Sequence, residues 1–193
     1  FYRKALLVLC DCGIPFLVGG AYALGCYTGI VRDTKDLDVF VKPGDARSIL
    51  DAFGRAGYRT ELTDDLWIGK ALDESGFVDI IFRSANGLTS VDDEWFAHAN
   101  EVALFDIAIK LVPPEEMIWS KSFVMTRDRY DGADLAHIFL ARAEILDWRR
   151  LLAMIGASWR VLYSHLVLFG FTYPSERNRI PSWLMEELSG RLA

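Results

Sequence analysis

One short stretch sets the terms for the whole chain: Asp36-Leu37-Asp38, running into the β-prone Val39-Phe40-Val41. Side chains alternate between the two faces of a strand, so Leu37 turns to the core while Asp36 and Asp38 emerge together on the other face. Two carboxylates that close repel each other, and their pairing asks for a cation between them. Oxygen ligands of this kind suit Mg²⁺, which proteins hold through one or two carboxylates and the phosphates of a substrate.

Upstream, Leu17-Val18 reads as a short buried strand and Ala21-Tyr22-Ala23-Leu24 as the opening of a helix, with Gly19-Gly20 at the turn between them. Glycine lets backbone approach a ligand closely, and the N–H groups at a helix start attract phosphate. One end of residues 16–42 therefore reads as a polyphosphate site and the other as the site of its metal.

Composition narrows the rest. At 193 residues the chain suits one domain, or a catalytic domain with a small appendage. A hydrophobic content of 52% supports a real core and excludes long disorder. The net charge of −6 argues against a broad nucleic-acid surface while leaving room for a local basic patch. Cys10, Cys12 and Cys26, an odd number without metal-ligand spacing, indicate a reduced, cytoplasmic protein. The sequence begins at Phe1 and shows no signal-peptide pattern. Its longest apolar stretch, Ala153 to Phe171, is interrupted by Arg160 and His165 and fails as a membrane span.

In chain order, the pattern predicts a helix over 2–12, stopped by Gly13-Ile14-Pro15, then the strands 17–18 and 36–42. Pro43-Gly44-Asp45 leads into a helix whose stripe is Ile49, Leu50, Phe53 and Ala56, closed by Gly57. Strands follow over 58–62, 66–72 and 77–82. Asp92-Asp93-Glu94 opens an acidic helix start with Trp95-Phe96 as its buried face, and 102–112 reads as two short strands. Pro113-Pro114 marks a boundary, beyond which everything reads helical: a first helix from Pro114, then about 131–145, 147–155, 158–170 and 181–192, with Trp148, Trp159 and Trp183 filling a core. His137 and His165 read as packing or surface residues. The expected fold class is α+β: a mixed β-sheet flanked by helices over 1–112, followed by a C-terminal helical bundle over 113–193.

Two further places carry chemistry. Asp79 sits inside the apolar strand 77–82, where an unpaired carboxylate is costly. It needs a metal, or a pairing with Arg59 or Arg83, or exposure at an edge. Downstream, Met117, Ile118, Lys121, Val124 and Met125 fall roughly along one helical face. A lysine within such a face either snorkels to water or is aimed at a ligand. Asp131 reads either as a helix N-cap with ordinary ion pairs around it or as part of a site.

An apolar residue, Gly-Gly, a spacer and then Asp-apolar-Asp resembles the signature of the nucleotidyltransferase superfamily with the DNA polymerase β fold. Gly19, Gly20, Asp36 and Asp38 fall on it, and the resemblance covers about 16–134. The closer likeness is to aminoglycoside and lincosamide nucleotidyltransferases, where an aromatic and an alanine follow the glycines and an arginine precedes the acids. Tyr22, Ala23 and Arg32 are similar, Tyr22 one place later than usual. The resemblance implies a nucleotidyltransferase-like sheet, with Asp79 as the third carboxylate that completes the metal site and, in several members, takes the acceptor's proton. Lys121, then Arg127 or Arg129, then Asp131 and Asp134 resemble a run in nucleotidyltransferases that include the abortive-infection toxin type. By that likeness Gly19, Gly20, Arg32, Lys35, Lys121 and Arg129 bind the nucleotide, while Asp131 and Asp134 orient the basic side chains or help with the acceptor. The implied cofactor is Mg²⁺, as two ions, with Mn²⁺ as a substitute. The implied reaction moves a nucleoside monophosphate from an NTP, ATP favoured, to an acceptor hydroxyl with release of pyrophosphate. A small-molecule acceptor is the first reading. Action on tRNA or a protein, or a regulator that binds nucleotide without catalysis, are the alternatives. No membrane partner is expected, and the oligomeric state stays open.

Overall fold

The computed structural model describes residues 1–192. The chain forms two compact units, one of Phe1–Cys26 with Ile30–Pro113 and the other of Tyr27–Gly29 with Pro114–Ala193.

The first unit is built on a seven-stranded mixed sheet: β1 (Leu17–Val18), β2 (Asp36–Phe40), β3 (Arg59–Asp64), β4 (Ile68–Asp73), β5 (Gly76–Ile81), β6 (Asn100–Leu104) and β7 (Ile107–Leu111), in the order β3-β4-β5-β2-β1-β7-β6. β2 runs parallel to β5 and β1 parallel to β7; the other neighbours are antiparallel. β2 ends at Phe40, short of the expected Lys42, because Lys42 caps the 3₁₀ turn Pro43–Asp45. Helix α1 (Tyr2–Cys12) buries Ala5, Leu6 and Leu9 and stops at Gly13, whose φ of 71° is open to glycine at little cost. Helix α2 is Gly20–Thr28. Helix α3 (Ala46–Arg55) buries Ile49, Leu50 and Phe53 as its period requires; Ala52, not the exposed Ala56, completes the stripe because the helix ends at Arg55. In the short helix α4 (Asp93–Ala97), Asp92 caps the start by accepting from the Glu94 N–H at 3.0 Å, and Trp95 is buried while Phe96 is only partly covered. Phe105 and Asp106, at φ 52° and 62°, make the tight β6–β7 turn, the left-handed pair that matches strand twist.

The second unit is helical: α5 (Pro114–Ser122), α6 (Gly132–Arg142), α7 (Trp148–Ile155), α8 (Trp159–Thr172) and α9 (Ser182–Gly190). α5 stops at Ser122, so Val124 and Met125 do not share its face, and Met125 is exposed. Trp148 and Trp159 are buried; Trp183 is half-exposed and carries the Arg149 guanidinium 4.6 Å above its ring. Residues Trp148–Thr172 are long and apolar enough, by length and composition, to cross a membrane, yet Gly156 turns the chain at φ 53° and divides them into two helices that pack together. His165 is buried with its Nε2 3.1 Å from the Ser122 carbonyl, and burial pushes its pKa down.

Glu115 and Glu116 stand in the first turn of α5, and both are buried. Arg150 of α7 lies 2.9 Å from Glu115 and 2.5 Å from Glu116, and the Asp147 N–H donates to Glu115 at 2.8 Å. Removing one partner from such a cluster leaves uncompensated buried charge. Arg150→Met is therefore expected to lower stability by about 3–5 kcal/mol in urea unfolding, and replacing Arg150, Glu115 and Glu116 together by uncharged residues to cost less than Arg150→Met alone. Equal losses would mean the cluster contributes through packing instead of charge.

Candidate active site

The site grows out of strand register. On β2, Leu37 and Val39 are fully buried while Asp36, Asp38 and Phe40 lie on the opposite, half-exposed face. The parallel pairing with β5 sets Asp36 beside Phe77 and Asp38 beside Asp79. The antiparallel pairing of β5 with β4 sets Lys70 beside Asp79. Paired residues on neighbouring strands share a face, so Asp38, Asp79 and Lys70 form one row across three strands. Ligand oxygens of Asp36, Asp38 and Asp79 all lie within 4.8 Å of one another.

Each acid is held in place. The Thr34 hydroxyl donates to Asp36 Oδ1. Lys70 Nζ donates to Asp79 Oδ1 at 2.5 Å and lies 4.4 Å from the centre of the Phe77 ring. Gly20, at φ 53°, fits against Asp38: a Cβ there would sit 1.7 Å from Asp38 Oδ2. At Gly19 a Cβ would meet the Phe40 ring at 2.3 Å. The glycine pair thus makes room for the acidic strand as well as for any ligand. The Gly19 N–H is already committed to the Asp38 carbonyl at 2.9 Å, so backbone donors toward a phosphate start at Gly20, in the first turn of α2, where N–H groups have no acceptor within the helix. Tyr22, also in that turn, packs edge-on against Tyr2 at 5.7 Å, and burial, helped by Tyr2 and Asp36, pushes its hydroxyl up to about 12. The Tyr2 hydroxyl in turn donates to the Thr34 carbonyl at 3.3 Å.

The other residues singled out in the sequence fall elsewhere. Arg32 and Lys35 lie on the exposed segment between α2 and β2. In the second unit, Lys121 donates to Asp131 at 2.7 Å and to Asp134 at 2.8 Å, and Arg129 forms a two-pronged pair with Asp131. Asp131 precedes α6 but its side chain does not cap it. Burial raises the Asp131 pKa, and the bonds from Arg129 and Lys121 outweigh that, leaving it below the usual carboxylate range. Arg127 is exposed.

Lys70 escaped the sequence reading, which offered Arg59 and Arg83 as partners for Asp79. Arg59 is exposed and pairs in register with Leu72, while Arg83 donates to the Leu66 carbonyl at 3.3 Å. The signal was present: counting outward from the two-residue turn between Asp73 and Gly76 brings Lys70 opposite Asp79.

The donors around the acidic face are all carboxylate oxygens, which fits a hard divalent cation and not a thiolate or imidazole metal. An octahedral Mg²⁺ at about 2.1 Å spans ligands about 4 Å apart at most, so the acids need only small side-chain adjustments to close on one.

No family model matches the chain, and no curated protein does. Solved structures do. The antibiotic-resistance factor ANT(2'')-Ia in solution superposes with a TM-score of 0.58 at 15% identity, over 89% of this chain and 95% of that one. The fold is that of a nucleotidyltransferase. The crystal structure of ANT(2'')-Ia in complex with adenylyl-2''-tobramycin gives the same score at 16% identity, over 84% of this chain and 96% of that one. An antigenic nucleotidyltransferase-like protein from Paracoccidioides brasiliensis gives 0.52 at 14% identity, over 91% and 90%.

The tight fit at Gly20 has a measurable consequence. Gly20→Ala combines a left-handed conformation, worth about 1–2 kcal/mol against a residue with a Cβ, with a clash on Asp38. It is expected to lower the melting temperature and weaken Mn²⁺ binding, whereas Gly44→Ala, where a Cβ meets nothing within 4 Å, changes neither. Unaltered Mn²⁺ binding in a folded Gly20→Ala protein would separate Gly20 from the acidic face.

Proposed function

We propose that this protein is a divalent-metal-dependent nucleotidyltransferase that moves a nucleoside monophosphate from an NTP, ATP by preference, to a hydroxyl of a small molecule. The observation that carries the reading is the convergence of three carboxylates from β2 and β5 on one sheet face beside a glycine-led helix start. In the reaction the acceptor oxygen bonds to the α-phosphorus, the bond to the β-phosphate's bridging oxygen breaks, and pyrophosphate leaves with that electron pair. A divalent ion would supply charge stabilisation for the attacking and leaving oxygens.

Asp36, Asp38 and Asp79 are the residues to hold it. The resemblance also assigns to Asp79, which pairs with Asp38, receipt of the acceptor's proton. The first-turn N–H groups of α2 and the exposed cations Arg32 and Lys35 are assigned to the phosphates. The resemblance assigns Lys121 and Arg129 to the nucleotide as well, with Asp131 and Asp134 setting their positions. Most of the work is positioning and electrostatics.

Two observations favour a small acceptor over tRNA. The chain carries a net charge of −6. Arg150 is committed to Glu115 and Glu116. ANT(2'')-Ia, similar in fold, has been crystallised in complex with adenylyl-2''-tobramycin, a small molecule.

Incubation with each α-labelled NTP and Mg²⁺, against aminoglycosides, cell extract and total tRNA, is expected to label a small molecule. Chelation should abolish labelling, and Asp36→Asn or Asp38→Asn should reduce it by at least about 100-fold in proteins that melt as the wild type does. Undiminished turnover in both variants would refute the assignment.

A further inference from the structure

We infer that Lys70 is the second cation of the acidic face, so that the free protein takes one divalent ion where the resemblance implied two. This rests on the metal reading of Asp36, Asp38 and Asp79 given above, and it concerns how many ions those acids hold.

Three separate constraints keep the Lys70 ammonium where it is. The hairpin register fixes its backbone opposite Asp79, and Asp79 is itself opposite Asp38. Its Nζ is 2.5 Å from Asp79 Oδ1, a short charge-assisted contact. Its ammonium also rests 4.4 Å from the centre of the Phe77 ring, on the strand position beside Asp36. The Lys70 side chain is only 24% exposed and that of Asp79 13%. An ammonium held in that way gives up both an ion pair and a ring contact if it swings into water.

Its position matters because of where the negative charge lies. Asp79 is the acid farthest along the row from β2. The oxygen that faces β4 is occupied by the ammonium. A divalent ion among the three acids together with Lys70 at Asp79 Oδ1 matches three carboxylate charges with three positive ones. Removing the lysine's charge leaves the acids short by one and opens the Asp79 oxygen.

The protein makes Lys70 a positioning residue in two respects. It fixes the Asp79 carboxylate against β4, and it reserves that carboxylate from a second ion. Lysine serves here as a compact point charge, three donors on a flexible stem.

The test is an Mn²⁺ titration of the full chain without nucleotide, counting free Mn²⁺ by its paramagnetic resonance signal. Wild type is expected to bind one Mn²⁺ per chain, Lys70→Arg one, and Lys70→Met two. Lys70→Gln provides a second neutral variant should Lys70→Met fail to give a cooperative melt. Two ions in the wild type, or one in both neutral variants, would overturn the role of Lys70 while leaving the nucleotidyltransferase reading intact. Failure of wild type and every variant to bind Mn²⁺ would overturn the role of Lys70, and the labelling experiment with Asp36→Asn decides the fate of the function independently.

Discussion

Repulsion among three carboxylates on one sheet face is the constraint around which the first unit is arranged. Two unit charges within 4.8 Å of each other repel by at least about 3 kcal/mol at an effective dielectric near 20. The chain offsets it locally and from several directions. Lys70 meets Asp79, the Thr34 hydroxyl meets Asp36, and Gly20 brings the first turn of α2 up against Asp38. A protein that spends a lysine, a threonine and a left-handed glycine on keeping three acids together has an arrangement suited to receiving positive charge.

Much of this was legible in the sequence because it depends on short-range periodicity. Alternation placed Leu37 and Val39 inside and the two aspartates outside, and the breaks at Gly13, Pro43 and Pro113-Pro114 marked where elements end. Asp79 stood out because a carboxylate in the middle of an apolar strand cannot be left alone. Its partner was harder to see. Lys70 answers to hairpin register, and candidate arginines closer in kind but wrong in register competed with it. The glycine pair was read for its freedom to approach a ligand; its equal duty, clearing space for Asp38 and Phe40, depends on the antiparallel contact of β1 with β2, which composition cannot express.

The second unit shows where local reasoning runs out. Acidic residues open α5, a place where the helix dipole alone favours them. They are buried by an arginine 34 or 35 positions away. Lys121 sat within an apolar stretch, and the choice between snorkelling and ligand contact turned on Asp131 and Asp134, which wait beyond a break in the helix. Val124 and Met125 were read onto the same face because periodicity carries no notice that hydrogen bonding stops at Ser122. Trp183 was assigned to the core on size alone, yet its ring serves as a platform for Arg149. In each case the deciding fact is a contact between elements far apart in the chain.

The difference between these clusters bears on how a site can be told from a structural ion pair. Lys121, Arg129, Asp131 and Asp134 gather side chains from one short segment, and a loop and a helix start are enough to bring them together. The acids of the first unit are set by the register of β2, β5 and β4, and so by the sheet itself. Positions fixed by register hold their geometry without help from surface loops, which is what a cation needs if it is to present the same face to every substrate. The cations assigned to phosphate, Arg32 and Lys35, stand on the exposed segment before β2, in which Thr34 is the residue tied to Asp36. A sheet that fixes the charges and a loop that meets the substrate can diverge separately, which explains physically how a fold is shared at 15% identity while little of the sequence is.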